Sequence, residues 1–126
     1  MGLTRDQILK QNDIEVKKVH VPVWDEDVWI RQLTRGEQDE YLNRKYLKAS
    51  IKDGSEVSAM NIYGHDAFIC VCAVSDQHGK RLFQNTPEEI QKLNEKNGEA
   101  VGFLATEIII YSGMRKDVKD IEEVKN

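Results

Sequence analysis

The chain has 126 residues, 40% hydrophobic and 32% charged, which suits one modest folded core and argues against a disordered polypeptide. Its formal net charge of -4 leaves no basic excess to neutralise phosphates, which speaks against a general nucleic-acid binder. The start, Met1-Gly2-Leu3-Thr4-Arg5-Asp6, has no apolar signal region and no run approaches membrane-spanning length, so a cytoplasmic location is expected.

Thr4 and Gln7 stand at capping-box spacing and predict a short helix over 4–11, with Ile8 and Leu9 as its small apolar face. Val19, Val21 and Val23 then alternate with Lys18, His20 and Pro22, a strand with one apolar face. Pro22 has no N–H for a ladder, so this strand belongs at a sheet edge. Asp25-Glu26-Asp27 is expected to turn the chain, and Val28 to Leu33 to return as a second strand. A lone hairpin is marginal in water and must pack on helices.

Thr34 and Glu37 form another capping box before Tyr41, Leu42, Tyr46 and Leu47, predicting a helix over 34–48. Lys52-Asp53-Gly54-Ser55 breaks it. Val57, Met60, Gly64, Ala67, Phe68, Val71 and Cys72 suit one face of a helix over 57–75, although Phe68 to Val74 would also serve as a buried strand. Length favours the helix.

Thr86 and Pro87 open a short amphipathic helix over 87–96, with Ile90 and Leu93 inward and Asn97-Gly98 as its stop. The last helix is predicted over 99–113. Its apolar residues (Val101, Phe103, Leu104, Ala105, Ile108, Ile109, Ile110 and Tyr111) cover most of the circumference, as in a helix central to the core or covered by another protein. The fold expected is α+β, an amino-terminal β-hairpin packed on a mostly helical body over 1–114. Residues 115–126 read as a charged flexible tail, in which Met114, Val118, Ile121 and Lys125 lie on one stripe that a partner's groove would turn helical.

Candidate chemistry is sparse. Cys70 and Cys72 are too close for disulfide geometry and too few for a structural zinc site, so reduced buried thiols are expected. His65-Asp66 lacks further metal ligands, with His20 isolated on a strand and His78 in a turn. The carboxylates of Asp25, Glu26 and Asp27 are expected to splay into solvent. Asp76 to Gly79 lacks the alternate acidic residues of a calcium loop, and no nucleophile elbow or phosphate loop is present. These readings predict no catalytic site, no metal and no cofactor. Trp24 and Trp29 flank the turn and are expected to pack the hairpin on the helical layer, the other reading being an exposed aromatic anchor for a protein partner.

The run Ala73-Val74-Ser75-Asp76-Gln77-His78-Gly79-Lys80-Arg81-Leu82-Phe83, followed by Asn85-Thr86-Pro87-Glu88-Glu89-Ile90, combines an acidic-Gly turn, a Leu-Phe pair and a capped helix. With Leu3 to Leu9, Val21-Pro22-Val23-Trp24, Val28 to Leu33 and Thr34-Arg35-Gly36-Glu37 before it, this order resembles the tail assembly chaperones of long-tailed bacteriophages and prophages. The resemblance implies a non-enzymatic protein of the host bacterial cytoplasm. It would bind the tape-measure protein, help recruit the major tail protein, and self-associate. Some members of that family also have a longer frameshifted product. The alternative is a small cytoplasmic adaptor or regulatory domain that binds one folded partner. Because apolar residues exceed what a small core covers, Phe103, Ile110, Tyr111 and Met114 are the expected partner-binding residues.

Overall fold

The computed structural model describes residues 2–46 and 64–114. In chain order these form α1 (Arg5–Leu9), β1 (Val16–Val21), β2 (Glu26–Arg31), α2 (Arg35–Tyr46), α3 (His65–Ala73), β3 (Val74–Ser75), α4 (Pro87–Asn94) and α5 (Gly98–Tyr111). The architecture is α+β, with a three-stranded antiparallel sheet and five helices among the described residues.

Helix starts follow from side chains that satisfy free backbone donors. Thr4 accepts from the Gln7 N–H at 3.2 Å while Gln7 Oε1 accepts from the Thr4 N–H at 2.9 Å. Thr34 and Glu37 make the same reciprocal pair at 3.1 and 2.9 Å. Thr86 accepts from the Glu89 N–H ahead of Pro87, and Asn97 from the Ala100 N–H. Asn97 therefore opens α5 as well as following α4.

The hairpin pairs Val19 with Val28 and His20 with Asp27, and β2 pairs in turn with β3 through Trp29–Ser75 and Ile30–Val74. The order β1-β2-β3 leaves β1 at an edge, as Pro22 requires. The turn lies earlier than expected. β1 ends at Val21, Pro22 to Asp25 reverse the chain, and Glu26 and Asp27 already belong to β2. The Asp25 N–H donates to the Val21 carbonyl at 2.8 Å, with Asp25 in the left-handed region at φ 52°, which an Asx side chain tolerates.

The helix expected over 57–75 is helical from His65 to Ala73, and its portion 57–63 lies outside the described residues. Its end needs correction. Val74 turns extended at φ -72° and ψ 125°, and Val74-Ser75 become a third strand. A β-branched residue beside Ile30 gains a ladder partner that local periodicity does not reveal. The predicted helix over 34–48 is helical from Arg35 to Tyr46, and 47–48 likewise lie outside the described residues.

Helix α3, rather than the last helix, is the apolar centre. Every side chain from Ala67 to Ala73 is buried, and α2, α4 and α5 pack around it. Helix α5 contributes a regular inward stripe of Ala100, Val101, Leu104, Ala105 and Ile108. Each large side chain on that stripe contributes about 1.5–3 kcal/mol by leaving water. A polar replacement at Ile108 would break the α3–α5 contact. Cys70 and Cys72 are free and buried within α3, and the Cys70 thiol donates to the Val101 carbonyl at 3.7 Å.

The two faces of the sheet carry different cover. Val19, Val28 and Ile30 share the face toward the helices, where Lys17 Nζ lies 4.7 Å from the Tyr111 ring. Val16, Lys18, His20, Trp29 and Arg31 share the other face, against which the 76–82 turn lies. Trp29 therefore does not join the hairpin to the helices; it stacks under Lys18, whose Nζ is 5.8 Å from the ring. Trp24 is exposed at the turn.

Candidate interaction surface

The four residues expected to bind a partner do not form one patch. Phe103 and Ile110 are both half-buried and share the outer stripe of α5 with Thr106 and Glu107. Tyr111 turns toward the sheet under Lys17, and its carbonyl accepts from Gln32 Nε2 at 3.0 Å.

Met114 follows the end of the helix and has a local structural explanation. Its N–H donates to the Ile109 carbonyl at 3.1 Å, the Gly113 N–H donates to the Ile110 carbonyl at 3.0 Å, and Gly113 is left-handed at φ 77°. These bonds form a Schellman cap, and Met114 and Ile109 are the partly buried apolar pair that accompanies it. The same end of α5 is fastened to the strand–helix junction, where Ser112 Oγ accepts from the Leu33 N–H at 2.8 Å. Phe103 also packs partly against the core, so the outward stripe of α5 carries Ile110 and only the uncovered part of Phe103.

More strongly exposed apolar side chains lie elsewhere. Leu3, Ile8 and Leu9 are 58%, 55% and 66% exposed, and no residue of α1 is buried. Helix α1 is thus capped at its start yet leaves its apolar side chains in water, an arrangement that burial against another surface would stabilise. Ile8 and Leu9 were visible in the sequence as an apolar face, but five helical residues gave no hint that the body would leave that face uncovered. Leu82, exposed beyond the 76–80 turn, borders a groove of about 490 Å³ with Val28, Trp29 and His78. The Leu82-Phe83 pair after Gly79-Lys80-Arg81 was the available signal there.

The polar groups support structure. His20 is not isolated, and two of the turn carboxylates converge. His20 Nδ1 meets Asp27 Oδ1 at 2.8 Å and Nε2 meets Asp25 Oδ1 at 3.1 Å, because the tighter turn folds Asp25 back toward the strand. The Asp27 hydrogen bond is the main influence holding His20 above its ordinary value. His65 packs edge-to-face with Tyr41, ring centroids 6.1 Å apart. Burial pushes the Cys72 thiol up to about 12 and the Cys70 thiol higher still, which suppresses thiolate chemistry. Among the described residues, no group of three or more His, Cys, Asp or Glu could hold a metal ion, and no helix is long and apolar enough to cross a membrane.

Comparison of the chain with protein-family models, with curated proteins and with solved structures finds no match.

Proposed function

We propose that this protein is a non-enzymatic assembly chaperone of the phage-tail kind, which binds the tape-measure protein and helps recruit tail-tube subunits in the host bacterial cytoplasm. The observation that carries the reading is α1, a capped helix whose Ile8 and Leu9, with Leu3 just before it, are exposed among the described residues. A chaperone that coats an elongated amphipathic partner needs such apolar side chains on a stable body. The half-buried Phe103 and Ile110 stripe supplies a second surface. One surface can meet the tape-measure protein while the other meets a second copy of the chain. The order of capped helices and hairpin that underlies the resemblance is compatible with this reading.

The test is co-expression with a phage tape-measure protein whose gene neighbours this one, should its genome carry such a gene, followed by mass measurement of the purified complex. Several copies bound along one soluble tape-measure chain are expected. A single copy held at fixed stoichiometry by a globular protein, with no tape-measure binding, would replace this reading with the adaptor.

A further inference from the structure

A cleft of about 310 Å³ opens beside the sheet face that turns away from the helices. Asn12, Ile14, Thr34, His78 and Gly79 line it together with two arginines, Arg31 and Arg81. Both guanidinium groups converge on one carboxylate. Glu37 Oε2 accepts from Arg31 Nη2 at 2.7 Å and from Arg81 Nη2. Glu37 Oε1 accepts from Arg31 Nη1 at 3.1 Å and from the Thr34 N–H at 2.9 Å. The Cys72 carbonyl accepts from Arg31 Nη2 at 2.7 Å and from Arg81 Nε at 3.2 Å. Both Glu37 oxygens are therefore occupied, and two cations share one anion.

The cluster carries one net positive charge. The Asp76 carboxylate is held by the His78 and Lys80 N–H groups at 2.8 and 3.0 Å and has the Lys80 cation as its opposing charge, and Glu40 ranks last among the influences on Arg81. Among the described residues, Arg81 Nη1 makes no hydrogen bond, so its donors remain available. Thr34 brings the first turn of α2 to the same cleft, where the capping box employs the N–H groups of Thr34 and Glu37 but not those of Arg35 and Gly36. Two partly buried cations that share one anion are incompletely compensated, and a guanidinium fork is matched in shape by a planar carboxylate.

We propose that this cleft binds one carboxylate from an acidic peptide segment of a partner protein. The charge count selects that class. A single carboxylate neutralises the excess, whereas a phosphate group carrying roughly -1.5 to -2 charge would overshoot it on a chain that is already acidic. Ile14 adds an apolar contact for the stem of a glutamate side chain. The proposal stands on this geometry and does not depend on the assembly-chaperone reading.

The experiment is an NMR titration of the full ¹⁵N-labelled chain with acetyl-Gly-Glu-Gly-amide at constant ionic strength. Acetyl-Gly-Gln-Gly-amide, inorganic phosphate and sodium chloride serve as comparison arms. Saturating shifts at the Arg81 Nε–H and the Gly79 and Gly36 N–H groups are expected with the Glu peptide alone. Arg81→Gln should weaken that response by about tenfold, the loss of one charge-assisted hydrogen bond. Asn12→Asp at an exposed position should supply a carboxylate from within and abolish the peptide response while raising the melting temperature. This second variant decides the matter if Arg81→Gln does not fold. Shifts that follow chloride, saturation by phosphate in preference to the Glu peptide, or a full response in Asn12→Asp would overturn the proposal.

Discussion

Arg31 and Glu37, each with a side chain only 9% exposed, meet as a two-pronged ion pair that ties the end of β2 to the first turn of α2. Because Arg31 also donates to the Cys72 carbonyl, the same guanidinium reaches the last turn of α3. Burial alone would push the Glu37 carboxyl up. Hydrogen bonds from Arg31, the Thr34 N–H and Arg81 outweigh that effect and hold it below the usual range. Glu37→Ala leaves two cations facing each other without a partner and should lower stability by about 3–5 kcal/mol. Urea unfolding checks this through a lower midpoint at unchanged slope. The sign with pH follows: Glu37 stabilises above its unfolded-state value, and the contribution is lost as pH falls through its lower folded-state value.

His20 gives the opposite sign. The Asp27 hydrogen bond raises its folded-state value above the ordinary 6.5, partial desolvation opposes the rise, and Asp25 adds to it. The bridge therefore contributes fully below the unfolded-state value and is lost as pH rises through the folded one. Both partners are well exposed, so added salt should shrink the effect. Melting temperatures of the wild type and His20→Gln should differ at mildly acidic pH and converge at alkaline pH. Equal curves throughout would show that the contacts contribute nothing.

Gly79 is required twice. It is left-handed at φ 86°, and a Cβ there would stand 3.1 Å from Val16 Cγ2. Asp76 organises the turn by accepting from the His78 and Lys80 N–H groups, and these bonds hold its carboxyl low. Gly79→Ala should cost about 1–3 kcal/mol from backbone strain. Thermal denaturation of this variant against a surface alanine control would measure it.

How far the sequence revealed this arrangement depended on whether a signal was local. Thr4, Thr34, Thr86 and Pro87 announced three helix starts because capping acts within one turn. Pro22 marked the edge strand for the same kind of reason. Val74 did not announce β3, since its partner Ile30 lies far away in sequence. Arg81 likewise gave no sign that it would join Glu37, a contact made by chain topology alone. The apolar excess of the last helix was legible, but its distribution was not. Tyr111 and Met114 are drawn in by the sheet and the Schellman cap, while Phe103 and Ile110 share the outer stripe.

Cys70 and Cys72 should resist modification in the folded protein. Burial raises both thiols, Cys72 to about 12, so the thiolate fraction at neutral pH is negligible. Ellman's reagent should report no fast-reacting thiol under native conditions and two after denaturation in guanidinium. Rapid native labelling would require α3 to open.

The final prediction separates the two apolar surfaces. Ile8 and Leu9 project from α1 into solvent, so Ile8→Ser with Leu9→Ser removes little that the monomer uses. Such surface changes typically alter stability by less than about 0.5 kcal/mol. If α1 docks on the tape-measure protein, each side chain contributes roughly 1.5–3 kcal/mol in the complex, and the pair at least about a hundredfold in affinity. Phe103→Ser with Ile110→Ser tests the outer stripe of α5, where half-burial predicts a measurable loss of monomer stability as well. Pull-down with the tape-measure protein measures binding, and sedimentation velocity measures self-association. Loss of tape-measure binding in the α1 variant, with self-association intact, would assign the two surfaces different partners. Full retention of both properties in the α1 variant would mean that neither depends on the exposed helix, and the surface assignment would have to be abandoned.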